Sequence, residues 1–195
     1  MIDIEILGDQ VKNLIPNLPE HVGRARLVAT FVSLRRACDL GYKNDVFRQM
    51  RKGERDKYLQ ILAAESPFSH EGPKDNTPEG NWVAGYYFNN ALLRIAALAE
   101  IGLKYLYEQY TSRKAPQRDY WRLAKWYESE FSTKITHLNR TRQEINDFKH
   151  EHANRRQRKL ETIGEGLAAL GELNKLMDRV ASNNRLKLTA AQRKT

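Results

Sequence analysis

The chain has 195 residues, of which 41% are apolar, 9% aromatic and 29% charged. That composition builds one packed domain and excludes an intrinsically disordered chain. The net charge of +9 lies entirely in the second half: residues 1–110 hold 14 Lys or Arg against 14 Asp or Glu, residues 111–160 hold 13 against 6, residues 161–181 hold 2 against 4, and residues 182–195 hold 4 against none.

Clustered cations gain free energy by releasing counterions from a nucleic acid, so this asymmetry points to a polyanionic partner or to a solvated basic face. Cys38 is the single cysteine, which excludes an internal disulfide and, without clustered Cys and His, a thiolate metal site. No basic-then-apolar leader follows Met1, and no apolar run approaches the roughly 20 residues that cross a bilayer. A cytoplasmic chain without membrane attachment is expected.

In chain order, Ile2, Ile4 and Ile6 alternate with Asp3 and Glu5, a period of two that predicts a short extended segment. After Pro16 and Pro19, residues 20–40 set Val22, Leu27, Val28, Phe31, Val32 and Leu34 among Arg24, Arg26, Arg35 and Arg36. This is an amphipathic helix stopped by Gly41. A second helix is expected from about Asp45 to Glu65. The stretch SPFSHEGPKDNTPEG, residues 66–80, is dense in Pro, Gly, Asn and Asp and predicts a loop.

Residues 81–110 are apolar on nearly every side and predict a buried central helix, interrupted by Asn89, Asn90, Arg94, Glu100 and Lys104. Pro116 predicts the first turn of a helix running to about His152, with a break near Ser132. The last helix, about Asn154 to Ser182, carries Leu160, Ile163, Leu167, Leu170, Leu173, Met177 and Val180 at spacings of three and four. That seam requires a partner helix from this chain or a second copy. Gly164, Gly166 and Gly171 on it are expected to allow close backbone approach. Residues 1–181 therefore read as one all-α bundle of five or six helices, and residues 182–195 as a basic, disordered tail.

No phosphate loop, HExxH zinc motif or nucleophile elbow is present, and no cofactor is called for. The best candidate site is HLNRTRQEINDFKHEH, residues 137–152, which holds three of the five histidines. On a helical wheel Arg142 and Lys149 fall within about 40° of the apolar direction set by Leu138 and Ile145. Asn139, Asn146 and His150 form an adjacent stripe. Such a patch suits phosphodiester chemistry without metal: histidine moves a proton near neutrality, and guanidinium stabilises the developing charge. The same residues also suit a structural seam in which Arg142 pairs with an acid such as Glu100 on the central helix. Asn90 and Arg94 form a companion pair at i and i+4, able to meet the Asn146 and His150 stripe across a helix pair. Lys149, Arg140, Arg155 and Arg156 are the surrounding cations that would contact nucleic acid.

The apolar helix NNALLRIAAL followed by RQEINDFKHE resembles the HEPN superfamily of prokaryotic helical-bundle proteins, over roughly residues 20–180. The resemblance implies a four-to-six-helix bundle, frequent homodimerisation with the polar motif at the interface, and metal-independent RNA cleavage in defence, stress or toxin–antitoxin systems. Carried onto this chain, Arg142 would bind phosphate, His150 would serve as acid or base and Asn146 would orient the substrate or the histidine. The family signature places four to six residues between the Arg and the His; here seven intervene, although the polar Gln143 does follow the Arg. Many members lack the signature and act as binding or partner modules, so two functions follow as expectations: RNA binding or cleavage, or a non-catalytic protein-interaction module.

Overall fold

Every regular element in the computed structural model is helical; among the residues it describes, 3–40, 78–117, 119–150 and 162–192, there is no strand. Side chains are described for residues 3–40, 85–117, 119–146 and 162–184. The six α-helices are α1 (Ile4–Leu14), α2 (Arg24–Asp39), α3 (Pro78–Thr111), α4 (Tyr120–Phe131), α5 (Thr136–His150) and α6 (Ile163–Gln192). Two single 3₁₀ turns, Ile15–Asn17 and Glu20–Val22, join α1 to α2. The all-α class expected from the sequence is thus the observed one. The expected helix from Asp45 to Glu65 lies outside the described residues.

The N-terminus corrects the extended segment predicted there. Asp3 caps α1 by accepting a hydrogen bond from the Glu5 amide at 2.8 Å. Leu7, Val11 and Leu14, spaced four and three apart, are buried, while Ile6 is 59% exposed. An alternation covering five residues, Ile2 to Ile6, is outweighed by a helical stripe that buries three large side chains, each stabilising by about 1.5–3 kcal/mol. The helix lies close to α2 at Gly8, where an added Cβ would stand 2.7 Å from the Phe31 ring. Gly23, at φ 97°, ends the second 3₁₀ turn and starts α2. That backbone conformation suits glycine and lets the chain reverse in one residue.

α3 is the hub, as its all-round apolar sequence predicted. Phe88, Ala91, Leu92, Ile95, Ala96, Leu98, Ala99, Leu103 and Leu106 are each at most 4% exposed, and α2, α4, α5 and α6 all pack on it. It starts at Pro78, so residues 78–80 of the expected loop are already helical, with proline at the first position where its missing N–H costs nothing. None of the helices among the described residues is long and apolar enough to cross a membrane.

Pro116 does not open a helix. The Glu108 carboxylate accepts from the Ala115 amide at 3.0 Å and holds the turn after α3. The stronger N-cap, Asp119, which accepts from the Arg122 amide at 3.1 Å, starts α4 at Tyr120. The break expected near Ser132 is present, with Ser132 left-handed at φ 48°.

α6 starts at Ile163, after the non-helical Thr162; residues 154–161, where the last helix was expected to begin, lie outside the described residues. Thr162 and Glu165 form a reciprocal capping box: the Glu165 amide donates to the Thr162 hydroxyl at 3.3 Å, and the Thr162 amide donates to the Glu165 carboxylate at 2.7 Å. The leucine seam of α6 finds its partners within this chain. Leu170, Leu173, Leu176, Met177 and Val180 are fully buried against α1, α3, α5 and α2. Of the three glycines expected to allow close approach, Gly166 does so: a Cβ there would lie 2.5 Å from the Phe88 ring. Gly164 and Gly171 both have room for a methyl, which would stand 3.8 Å from the Thr162 hydroxyl and from Leu7 respectively. The helix runs on to Gln192, so residues 182–192 are helical where a disordered tail was expected. Asn184 on this extension donates to the Asn17 carbonyl at 3.0 Å and ties it to the N-terminal segment.

Candidate functional site

The helix that carries the candidate motif, α5, is positioned by two carboxylates from its neighbours. Glu172 on α6 accepts from the Leu138 amide at 2.9 Å. Glu128 on α4 accepts from the Ile135 amide at 3.1 Å and from Asn139 Nδ2 at 3.3 Å. Both acids meet the N-terminal turn, where free N–H groups and the helix dipole favour negative charge. Leu138, Thr141 and Ile145, at spacings of three and four, are buried. This fixes which azimuth of α5 faces the core, and Arg142 stands at the edge of that face.

Arg142 is engaged from two sides. Its Nη2 lies 3.1 Å from Glu100 Oε2 on α3, with the two side chains 21% and 20% exposed. Its guanidinium carbon sits 5.6 Å above the centre of the Tyr120 ring on α4, a cation–π arrangement. The other Glu100 oxygen accepts from Lys104 at 2.7 Å. Arg142 Nε and the Tyr120 hydroxyl are buried without a hydrogen-bond partner among the described residues. Burial pushes the Tyr120 phenol well above its ordinary value; the Arg142 charge pulls it down, and the carboxylates of Glu172, Glu128 and Glu100 push it up again. The phenol therefore stays protonated through neutral pH. A second cation repeats the theme one layer along: Arg179 on α6 lies 4.5 Å over Phe131 and donates to the Thr133 hydroxyl at 3.1 Å.

Of the residues expected around Arg142, the structure describes the side chains of Asn146, Arg140 and Asn139. Asn146, one turn further along α5, is half-buried. Lys149 and His150 belong to the last turn of α5, but their side chains lie outside the described residues, as do Arg155 and Arg156 altogether. Arg140, expected to contact nucleic acid, is ion-paired with Glu144 at 3.4 Å and with Glu165 at the start of α6. Its charge is thereby matched, and it bridges α5 to the capping box. Asn139 donates to Glu128 across the turn between α4 and α5, and its Oδ1 is buried without a hydrogen-bond partner among the described residues.

The polar seam expected between the Asn90 and Arg94 pair and the Asn146 and His150 stripe is not what Arg94 makes. Arg94 Nη1 donates to the Ala29 carbonyl at 3.1 Å and to the Ser33 hydroxyl at 3.0 Å, so it faces α2. Arg94 and Glu100 are six residues apart, about 120° around α3. One cannot look toward α2 and the other toward α5 from a single stripe. Asn90 is half-buried one turn before Arg94.

Sequence reasoning missed Tyr120, Glu128 and Glu172, whose roles depend on which helices meet. Asp119 followed by an aromatic-rich apolar run was the local signal for Tyr120. Among the described residues no group of three His, Cys, Asp or Glu side chains is placed to hold a metal ion. Cys38 is half-buried, and its thiol is pushed up, mainly by burial, which disfavours the nucleophilic thiolate. Comparison with protein-family models, with curated proteins and with solved structures finds no match for this chain.

Proposed function

We propose that this chain is a HEPN-like helical module that binds RNA and does not cut it through Arg142. The observation that carries the reading is the double engagement of Arg142 by Glu100 and Tyr120. A guanidinium that stabilises a phosphorane must be free to face phosphate as charge develops. Here the group already has a carboxylate at hydrogen-bonding distance and an aromatic ring beneath it. A substrate phosphate would have to displace Glu100 at a cost that a preorganised nuclease site avoids. The seven-residue spacing between Arg142 and His150 supports the same reading. The RNA-directed part rests on the basic surplus of residues 111–160 and on the sequence resemblance.

The test is the salt dependence of RNA affinity in the full chain and its Arg142→Met variant. Binding through phosphate contacts gives log Kd linear in log salt with a slope of about 0.7 per phosphate contacted on a single strand. The variant is expected to keep both affinity and slope, because Arg142 is not at the binding face. A flat affinity between low and moderate salt, or loss of binding in the variant, contradicts the proposal. A protein-interaction role without RNA is the outcome a flat profile would favour.

A further inference from the structure

The exposed side of α4 combines two features rarely placed together on a solvated helix. Trp121 is 40% exposed, with its indole edge-on to Tyr120 at 5.3 Å. Arg122 and Lys125 beside it are exposed and carry no ion pair among the described residues. The i, i+4 spacing sets Lys125 next to Trp121, and Trp126 next to Arg122. Trp126 is half-buried in an aromatic cluster with Tyr107 at 5.1 Å and Tyr110 at 6.4 Å. Tyr110 is itself 51% exposed. Arg113 and Lys114, three and four residues beyond it in the turn after α3, are also exposed and, among the described residues, without an ion pair.

Of the four acids of this region, Asp119 and Glu128 are half-buried and Glu108 and Glu130 are exposed. Glu108, Asp119 and Glu128 accept from the backbone amides of Ala115, Arg122 and Ile135. Glu130, at the border of the face, is the acid of the four with no backbone amide bonded to it among the described residues. The cations thus reach solvent while three of four carboxylates are occupied in holding turns.

We infer that the outer face of α4, together with the turn after α3, is where single-stranded RNA lies, with phosphates on Arg113, Lys114, Arg122 and Lys125 and a base stacked on Trp121. This rests on the RNA-binding reading above and gives it a location. Phosphate attraction alone would suit any polyanion. The exposed indole selects a strand with unpaired bases, because stacking on an aromatic side chain needs a free base face, which a duplex hides.

The experiment measures anisotropy of a fluorescein-labelled oligouridylate with the full chain at low salt. It compares the wild type with Arg122→Glu/Lys125→Glu, with the milder Arg122→Gln/Lys125→Gln, with Trp121→Ala, and with Arg155→Ala/Arg156→Ala. Circular dichroism confirms that each variant folds, as expected for exposed positions. Charge reversal should weaken binding at least about tenfold and the neutral pair less. Trp121→Ala should weaken single-strand binding about fivefold to a hundredfold while leaving duplex binding unchanged. Wild-type binding with no change in the α4 variants, or a loss confined to Arg155→Ala/Arg156→Ala, overturns the location and leaves RNA binding standing. Competition by polyglutamate as effective as by unlabelled RNA overturns it in favour of an acidic protein. Absence of any wild-type binding overturns the RNA-binding reading and this location together.

Discussion

Replacing Glu100 or Arg142 tests the interaction on which the reading of the site depends. The two side chains are about one-fifth exposed and 3.1 Å apart. That places the pair between exposed ion pairs, at up to about 1 kcal/mol, and buried ones, where losing one partner costs about 3–5 kcal/mol. Arg142→Met keeps the stem and leaves Glu100 with Lys104 at 2.7 Å, so a loss of about 1–2 kcal/mol is expected. Glu100→Gln leaves the Arg142 charge above Tyr120 with no carboxylate in contact, and about 2–3 kcal/mol is expected. The double variant should cost less than the sum, with a coupling of about 1–2 kcal/mol. Urea unfolding followed by circular dichroism measures all three; the thermal midpoint should move about 2–4 °C for each kcal/mol in a chain of this size. Coupling below about 0.3 kcal/mol would refute the claim that the pair is a structural tie.

Tyr120→Phe keeps the ring under Arg142 and removes a hydroxyl that has no partner among the described residues, so stability at neutral pH should change by less than about 1 kcal/mol. Because the folded phenol titrates above its unfolded value near pH 10, its contribution is fully present below pH 10. It is lost as pH rises further, when the unfolded chain releases the proton first. The variant should lose stability less steeply above pH 10, by up to about 1.4 kcal/mol per pH unit, and an unchanged alkaline profile would be wrong for this account. Gly166→Ala drives a methyl into the Phe88 ring and should destabilise by about 1–3 kcal/mol despite the better helix propensity. Gly164→Ala, whose methyl would meet only the Thr162 hydroxyl at 3.8 Å, should be neutral or stabilise by up to about 1 kcal/mol, and equal effects at the two sites would contradict the packing of α6 on α3. Thr162→Ala should cost about 1 kcal/mol in urea unfolding through loss of the cap, with no cost expected if α6 began at Asn154.

What the sequence made legible follows from how local each signal is. The central helix was readable because apolar residues on all sides admit one place, the middle of a bundle. The leucine seam was readable as a buried stripe, although not whether α1 and α3 or a second copy would cover it. The Ser132 break was visible as an interruption of period. Two positions misled for physical reasons: the Ile2, Ile4 and Ile6 alternation is too short to outweigh Leu7, Val11 and Leu14, and Pro116 is overridden by the Asp119 cap that follows it.

The site was half legible. The pairing of Arg142 with Glu100 was one of the two arrangements the residues allowed, because both lie at the edges of apolar stripes. Arg94 turning to α2, and the meeting of Tyr120, Glu128 and Glu172 around α5, depend on contacts between helices that are distant in the chain, as far as the 65 positions between Arg94 and Ala29. Periodicity within one helix carries no such information.

The most direct measurement of the central claim is a denaturing gel of single-stranded RNA recovered from its complex with excess protein in EDTA. The account predicts RNA that is bound and comes back at full length. Shortened RNA, with cleavage abolished by His150→Ala, would contradict it and make Arg142, Asn146 and His150 a nuclease centre.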